Sequence, residues 1–71
     1  MTIRLAIFGA GRIGAVHARN AAALPGVEIA HVIDPGTDPA PLAREIGARA
    51  TETAEALGDG GLDGIVIASS T

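Results

Sequence analysis

The sequence predicts an α/β fold in which parallel strands alternate with crossover helices, the opening of a doubly wound sheet. Three observations carry this. Short runs rich in Ile, Val and Ala alternate with alanine-rich stretches of helical spacing, a glycine triplet stands where the first run gives way to the first helix, and an aspartate closes the second run. Strand and helix in strict alternation pack as parallel strands joined by right-handed crossovers.

Ile3 to Phe8 is an almost continuous β-friendly run ending at Gly9, the pattern of a strand covered on both faces. From Arg12 to Leu24 the bulkier apolar residues Ile13, Val16 and Leu24 fall at helical spacing, and Pro25-Gly26 supplies a stop. The alanines at 15, 18, 21, 22 and 23 join high helix propensity to small volume, which lets that helix approach the sheet closely. Val27 to Ile33 reads as the second strand, stopped by Asp34-Pro35-Gly36. A second helix is expected to start near Pro41 and end at Gly47, with Leu42 and Ile46 on its apolar face. Ala48 to Thr51 is expected as a short third strand, Thr53 to Leu57 as a short helix closed by Gly58, and Gly64 to Ala68 as the fourth strand. The fourth strand should lie beside the first, on the side away from the second, so that the crevice at their carboxyl ends is a topological switch point where ligands bind.

With 71 residues the chain is shorter than a usual domain, and a chain of this size removes only about 60% of its unfolded surface from water on folding. Residues 1–71 are therefore expected to be the amino-terminal part of a larger domain, stabilised by a remainder that covers the open sheet edge. No cysteine is present, and His17 and His31 lie too far apart in sequence to suggest a metal motif, so no metal site is expected. The net charge of −3, five arginines without a basic cluster and a single aromatic argue against a nucleic-acid partner. A start that runs directly into a strand has no signal-peptide pattern, and the apolar runs are too short for a membrane span, which gives a cytoplasmic expectation with no membrane partner.

The chemistry is carried by Gly9-Ala10-Gly11-Arg12-Ile13-Gly14, placed between a strand and a helix. Gly9 permits a tight turn, Gly11 puts no side chain between the backbone and a pyrophosphate, and Gly14 allows helix and strand to pack closely. Free N–H groups near Arg12 and Ile13 would then face phosphate oxygens, aided by the positive end of the helix dipole. Three glycines alone would also make an ordinary strand-to-helix turn. Asp34, at the end of the second strand and twenty residues beyond Gly14, completes the dinucleotide fingerprint of a Rossmann domain, although alone it would also serve as a turn-former before Pro35. A carboxylate there accepts two hydrogen bonds from the adenosine ribose hydroxyls and repels a 2′-phosphate, and Pro35, Gly36 and Thr37 supply no compensating cation. NAD is therefore the expected cofactor, in preference to NADP.

Arg12 carries two readings, a guanidinium beside the pyrophosphate or a solvated helix residue whose backbone alone matters. His17 is expected as a packed helix histidine, because the pyrophosphate lies more than a helical turn away, and His31 as a structural residue inside the second strand. Ser69, Ser70 and Thr71, at the carboxyl end of the fourth strand, carry two readings, hydrogen bonds to the cofactor from backbone and hydroxyl groups or a polar strand exit. No Gly-x-Ser-x-Gly elbow is present to make a serine nucleophile.

Ile3 to Gly14 followed by His17, then Asp34-Pro35, then Ile67 to Thr71, resemble the amino-terminal part of the glucose–fructose oxidoreductase, inositol dehydrogenase and rhizopine-catabolism (Gfo/Idh/MocA) family, nearest to its inositol 2-dehydrogenase branch. The resemblance implies NAD-dependent oxidation of a secondary alcohol on a cyclic polyol or sugar, in a parent chain that is a homo-oligomer. It gives Gly9, Gly11, Arg12, Ile13 and Gly14 to the pyrophosphate, Asp34 to the ribose and Ala68 to Ser70 to the crevice wall. It carries over no catalytic residue: the family's lysine stands in a Glu-Lys-Pro motif after the next strand, its Asp and His stand in a second domain, and this sequence contains no lysine. Residues 1–71 alone are expected to turn nothing over. A nucleotide-sensing module, or a truncated product without chemistry, would use the same glycines and acid.

Overall fold

The computed structural model describes residues 2–68. The elements run β1 (Ile3–Phe8), α1 (Arg12–Ala22), β2 (Val27–Ile33), α2 (Ala40–Ile46), β3 (Arg49–Ala50), α3 (Thr53–Leu57) and β4 (Gly64–Ile67). The four strands form one sheet in the order β3-β2-β1-β4, every pair parallel. Connection direction therefore reverses at β1, which has β2 on one side and β4 on the other.

Successive residues of β1 point to opposite faces, and the core divides accordingly. Ile7 belongs to the layer made with α1 and α2, where Ala18, Ile29, Val32, Leu42 and Ala43 are buried together. Ala6 belongs to the opposite layer, with Ile33 and with Ala56 of α3. Ile29 and Val32 share a layer although they are three residues apart, because the register shifts between Leu5 and Ala6 and leaves Ala30 without a partner on β1. This irregularity turns the rest of β2 over, so that Ile33 and Asp34 arrive in the correct phase at the carboxyl edge.

The face that α1 turns inward is the small-residue face expected to come close to the sheet, and the bulkier apolar residues of the helix are not on it. Gly14 and Ala18 are its buried residues, whereas Ile13, Val16 and Leu24 are 61%, 47% and 57% exposed. Small residues lie against the sheet because the helix runs close to it, and the bulkier ones at the same helical spacing are left outside. The helix also ends at Ala22, earlier than expected, with Ala23 as its cap. Proline at 25 disfavours the helical conformation at Leu24, and this places the stop. Smaller differences occur at α2, which starts at Ala40, and at β3 and β4, which are Arg49–Ala50 and Gly64–Ile67. Ala68 nonetheless continues the ladder, its N–H donating to the Phe8 carbonyl at 2.8 Å.

At mid-sheet, His31 is buried and structural as expected. Its Nε2 lies 2.7 Å from Asp59 Oδ2 and its Nδ1 3.2 Å from Thr51 Oγ1, so it fastens the loop before β4 and the exit of β3 to β2. Asp59 also accepts from the Gly61 N–H and from the Arg4 guanidinium, whose Nε reaches Glu28. The His31 hydrogen bond, then the Gly61 amide and Arg4, hold the Asp59 carboxyl well below the usual carboxylate range. Asp59→Ala is expected to lower the melting temperature, since it leaves a buried imidazole nitrogen without its partner. Because the folded-state pKa is depressed, the Asp59 contribution is fully present above about pH 5 and is lost as acid carries the pH down through the folded value. Wild-type and variant melting curves measured from neutral pH into acid should therefore converge only in strong acid.

Candidate dinucleotide site

β1 ends at the carboxyl edge of the sheet, and Gly9 takes φ of 115°, a conformation that side-chain-bearing residues rarely adopt. The chain reverses there and enters α1 with Gly11 as the N-cap. No side chain caps this helix and its first turn carries no acidic residue. The first main-chain bond of α1 runs from the Ala15 N–H to the Gly11 carbonyl at 2.9 Å, so the amides of Arg12, Ile13 and Gly14 precede the ladder. They stand at the positive end of the helix dipole, and Arg12 and Ile13 line a cleft of about 930 Å³.

Three glycines of the turn have three separate physical reasons. Gly9 is required by its φ. Gly14 is required by a close approach, because a Cβ built on it would run into the Gly9 carbonyl, 2.6 Å from its carbon atom. Gly11 has neither reason: its backbone is extended at φ −74° and ψ −166°, and a Cβ there would meet nothing within 4 Å. Neither conformation nor packing within the described residues demands glycine at position 11. Gly11 is part of the cleft lining.

The cleft is walled by Phe8, Gly9, Gly11, Arg12, Ile13 and His17 from the first βα unit. Ile33, Asp34, Pro35, Gly36 and Thr37 come from the exit of β2, Thr53 from α3, and Ile67 and Ala68 from β4. Ile13 and Ile67, 61% and 77% exposed, put apolar surface in the lining beside the polar groups of Arg12, His17, Asp34, Thr37 and Thr53. A second groove of about 450 Å³ adjoins it across Asp34 and Pro35, walled by Pro39 and by residues 51–54.

Asp34 joins the two sides of the turn. Its Oδ2 accepts the Ala10 N–H at 2.8 Å, and its Oδ1 accepts the Gly36 and Thr37 N–H groups at 2.7 and 2.9 Å. These amides, Ala10 first, hold its carboxyl below the ordinary carboxylate range. A carboxylate has about four acceptor positions. With three amides bound, Oδ2 keeps one for a ribose hydroxyl where the sequence reading expected two, and a second hydroxyl would have to share or displace an amide.

Of the residues singled out from the sequence, Gly9, Gly11, Arg12, Ile13, Asp34 and Ala68 line one cleft. Ala10 and Gly14 act from behind it, the first by its hydrogen bond to Asp34 and the second by the helix approach. Ser69, Ser70 and Thr71 lie outside the described residues. His17 differs from the expectation of a packed residue: it is exposed and lines the cleft, because it follows Ile13 by one turn on the face of α1 that looks away from the sheet. Thr53 and Ile67 were given no site role from the sequence. The rule that ligands sit at the carboxyl ends of parallel strands pointed to Ile67, whereas Thr53 reaches the cleft through the placement of α3.

The family model described as an oxidoreductase family with an NAD-binding Rossmann fold matches residues 3–71. Among solved structures, a myo-inositol dehydrogenase from Corynebacterium glutamicum is 46% identical with a TM-score of 0.88, over 99% of this chain and 22% of that one. GenD2 from gentamicin A biosynthesis, solved in complex with NAD, is 34% identical with a TM-score of 0.88, over 96% of this chain and 20% of that one. The UDP-N-acetylglucosamine 3-dehydrogenase GnnA from Acidithiobacillus ferrooxidans is 29% identical with a TM-score of 0.81, over 100% of this chain and 23% of that one. This chain thus spans about a fifth of the length of each. No curated protein matches. Among the described residues no helix is long and apolar enough to cross a membrane.

Proposed function

The chain belongs to this oxidoreductase family with an NAD-binding Rossmann fold, and from that premise we propose that residues 1–71 form the cofactor-holding opening of a dehydrogenase that oxidises a secondary alcohol of a cyclic polyol or sugar. The observation that carries the proposal is Gly11, a glycine with no conformational or packing reason to be one among the described residues, standing in the lining of the cleft. An approaching pyrophosphate supplies the reason.

In this reading the amides of Arg12 and Ile13 donate to pyrophosphate oxygens, with the Arg12 guanidinium beside them as the nearest cation of the turn. Asp34 accepts an adenosine ribose hydroxyl on Oδ2. The adenine ring takes the groove between Pro35, Pro39 and residues 51–54, and Ala68 to Ser70 flank the nicotinamide half. Bound NAD supplies the hydride acceptor. The residues of this chain bind and orient it, while the groups that move the substrate proton and hold the polyol come from a further part of the parent protein, which is expected to be a homo-oligomer. Support for the substrate class comes from the inositol and sugar-nucleotide chemistry named for the similar structures.

Asp34 also sets the preference between NAD and NADP, since its carboxylate would face a 2′-phosphate with like charge. The test is a titration of both cofactors into the full-length parent protein, followed by NADH formation with myo-inositol and a panel of related sugars. Wild type is expected to bind NAD the more tightly and to reduce it with a polyol or sugar. The double variant Asp34→Ser, Pro35→Arg should move the NAD to NADP affinity ratio by about tenfold or more towards NADP, equivalent to about 1.4 kcal/mol. An unchanged ratio would remove Asp34 from the ribose, and absence of NADH with every polyol and sugar would remove the substrate class.

A further inference from the structure

We propose that Asp34 is a positioning residue for the pyrophosphate as well as a ribose ligand, holding the glycine turn in its receiving shape through the Ala10 N–H. The inference rests on the NAD reading above and deepens it, because it gives Asp34 a share in binding a part of the ligand that it does not touch.

The turn between β1 and α1 has two ties to the end of β2. One is main-chain, the Gly9 N–H donating to the Ile33 carbonyl at 2.8 Å. The other is the Ala10 N–H donating to Asp34 Oδ2 at 2.8 Å, from a residue 24 positions away. Among the described residues no other side chain hydrogen-bonds to any part of Gly9–Gly14, and the N-cap Gly11 supplies no side chain of its own. Ala10 sits between Gly9, at φ of 115°, and Gly11, whose carbonyl starts the α1 ladder. Fixing the Ala10 amide therefore fixes the peptide planes that aim the free amides of Arg12 and Ile13 into the cleft. The Asp34 carboxylate is itself held by the Gly36 and Thr37 amides on its other oxygen, so it cannot turn away without breaking them. A ribose ligand without such ties would be free to adopt another rotamer before the cofactor arrives.

Asparagine separates the two roles. Asp34→Asn keeps one oxygen for Gly36 and Thr37 and sets an NH2 group against the Ala10 N–H, so the turn after β2 persists while the tie to the glycine turn is lost. Inorganic pyrophosphate is the probe, since it has no ribose for Asp34 to touch. By charge alone the substitution would tighten binding of an anion, because a carboxylate is removed from the cleft. The positioning role predicts the opposite, a loss of roughly three- to tenfold in pyrophosphate affinity, the worth of one hydrogen bond.

The experiment titrates pyrophosphate and NAD into the full-length parent protein and its Asp34→Asn variant, well below both melting temperatures, so that a lower stability alone leaves the result unmoved. Weaker binding of both ligands by the variant supports the proposal. Pyrophosphate binding that is equal or tighter, with NAD weakened, leaves Asp34 as a ribose contact only and overturns the proposal while the NAD reading stands. If wild type binds neither ligand, the NAD reading and this proposal fall together. Should the variant not fold, hydrogen exchange of the ligand-free wild type decides: the Ala10 amide is expected to be protected as the Gly9 amide is, and exchange at the rate of an open loop overturns the tie.

Discussion

Gly14→Ala is expected to destabilise the protein by about 3 kcal/mol or more, at the upper end of what overpacking costs. The added methyl would occupy the space of the Gly9 carbonyl, and neither party has a cheap way out. Gly9 cannot move without leaving the positive φ that turns the chain, and α1 cannot retreat without lifting Ala18 from the core made with Ile7 and Val32. A folded domain has of the order of 5–15 kcal/mol to lose. A lower melting temperature and weaker NAD binding should therefore appear together, read by thermal melts and titration of the full-length protein. A variant as stable as wild type would show that helix and strand do not approach as closely as the structure has them.

Gly11→Ala is expected to give the opposite separation. Position 11 is extended, and a methyl group there meets nothing among the described residues within 4 Å, so the melting temperature should hold or rise slightly, as alanine restricts the unfolded chain. The same methyl enters the space a pyrophosphate would fill. An overpacking cost of about 1–3 kcal/mol, transferred from folding to binding, is a loss of roughly 5- to 150-fold in NAD affinity. The two substitutions are chemically identical and three residues apart. Packing inside the protein makes the first a stability variant, and a ligand in the cleft is what would make the second a binding variant.

The contrast between these glycines also marks what could be read from the sequence. Their spacing after a β-run and twenty residues before Asp34 was legible because each requirement is local: a turn, a close approach and a strand end all leave their mark within a few positions. β1, β2 and α3 have the expected bounds for the same reason. The inward face of α1 was legible in part. Gly14 and Ala18 were read as residues that let the helix come close to the sheet, but helical spacing does not say which of two neighbouring stripes lies inward, and Ile13, Val16 and Leu24 were read as its bulkier apolar positions. How near the helix lies to the sheet decided for the small residues, and that is set by the Gly9–Gly14 approach rather than by apolarity. His17 was misplaced with them, since it shares the outward face.

Long-range polar ties were equally silent. Nothing in the spacing of Asp59, His31 and Thr51 shows that one imidazole joins them, because the bonds cross between the α3–β4 loop, β2 and the exit of β3. The Ala10 to Asp34 bond was hidden in the same way, although both residues had been singled out for the ligand. The cleft was foreseen at the carboxyl ends of the strands, and the register irregularity that delivers Asp34 to it was not.

The most direct measurement is a titration of NAD into the ¹⁵N-labelled full-length protein, following the main-chain amides of residues 2–68. The account predicts that the amides of Gly11, Arg12 and Ile13 move first and furthest, together with those of Gly36 and Ala68, while those near Asp59 and Asp63 at the far end of the sheet stay in place. Shifts confined to another surface, or none at saturating NAD, would contradict it.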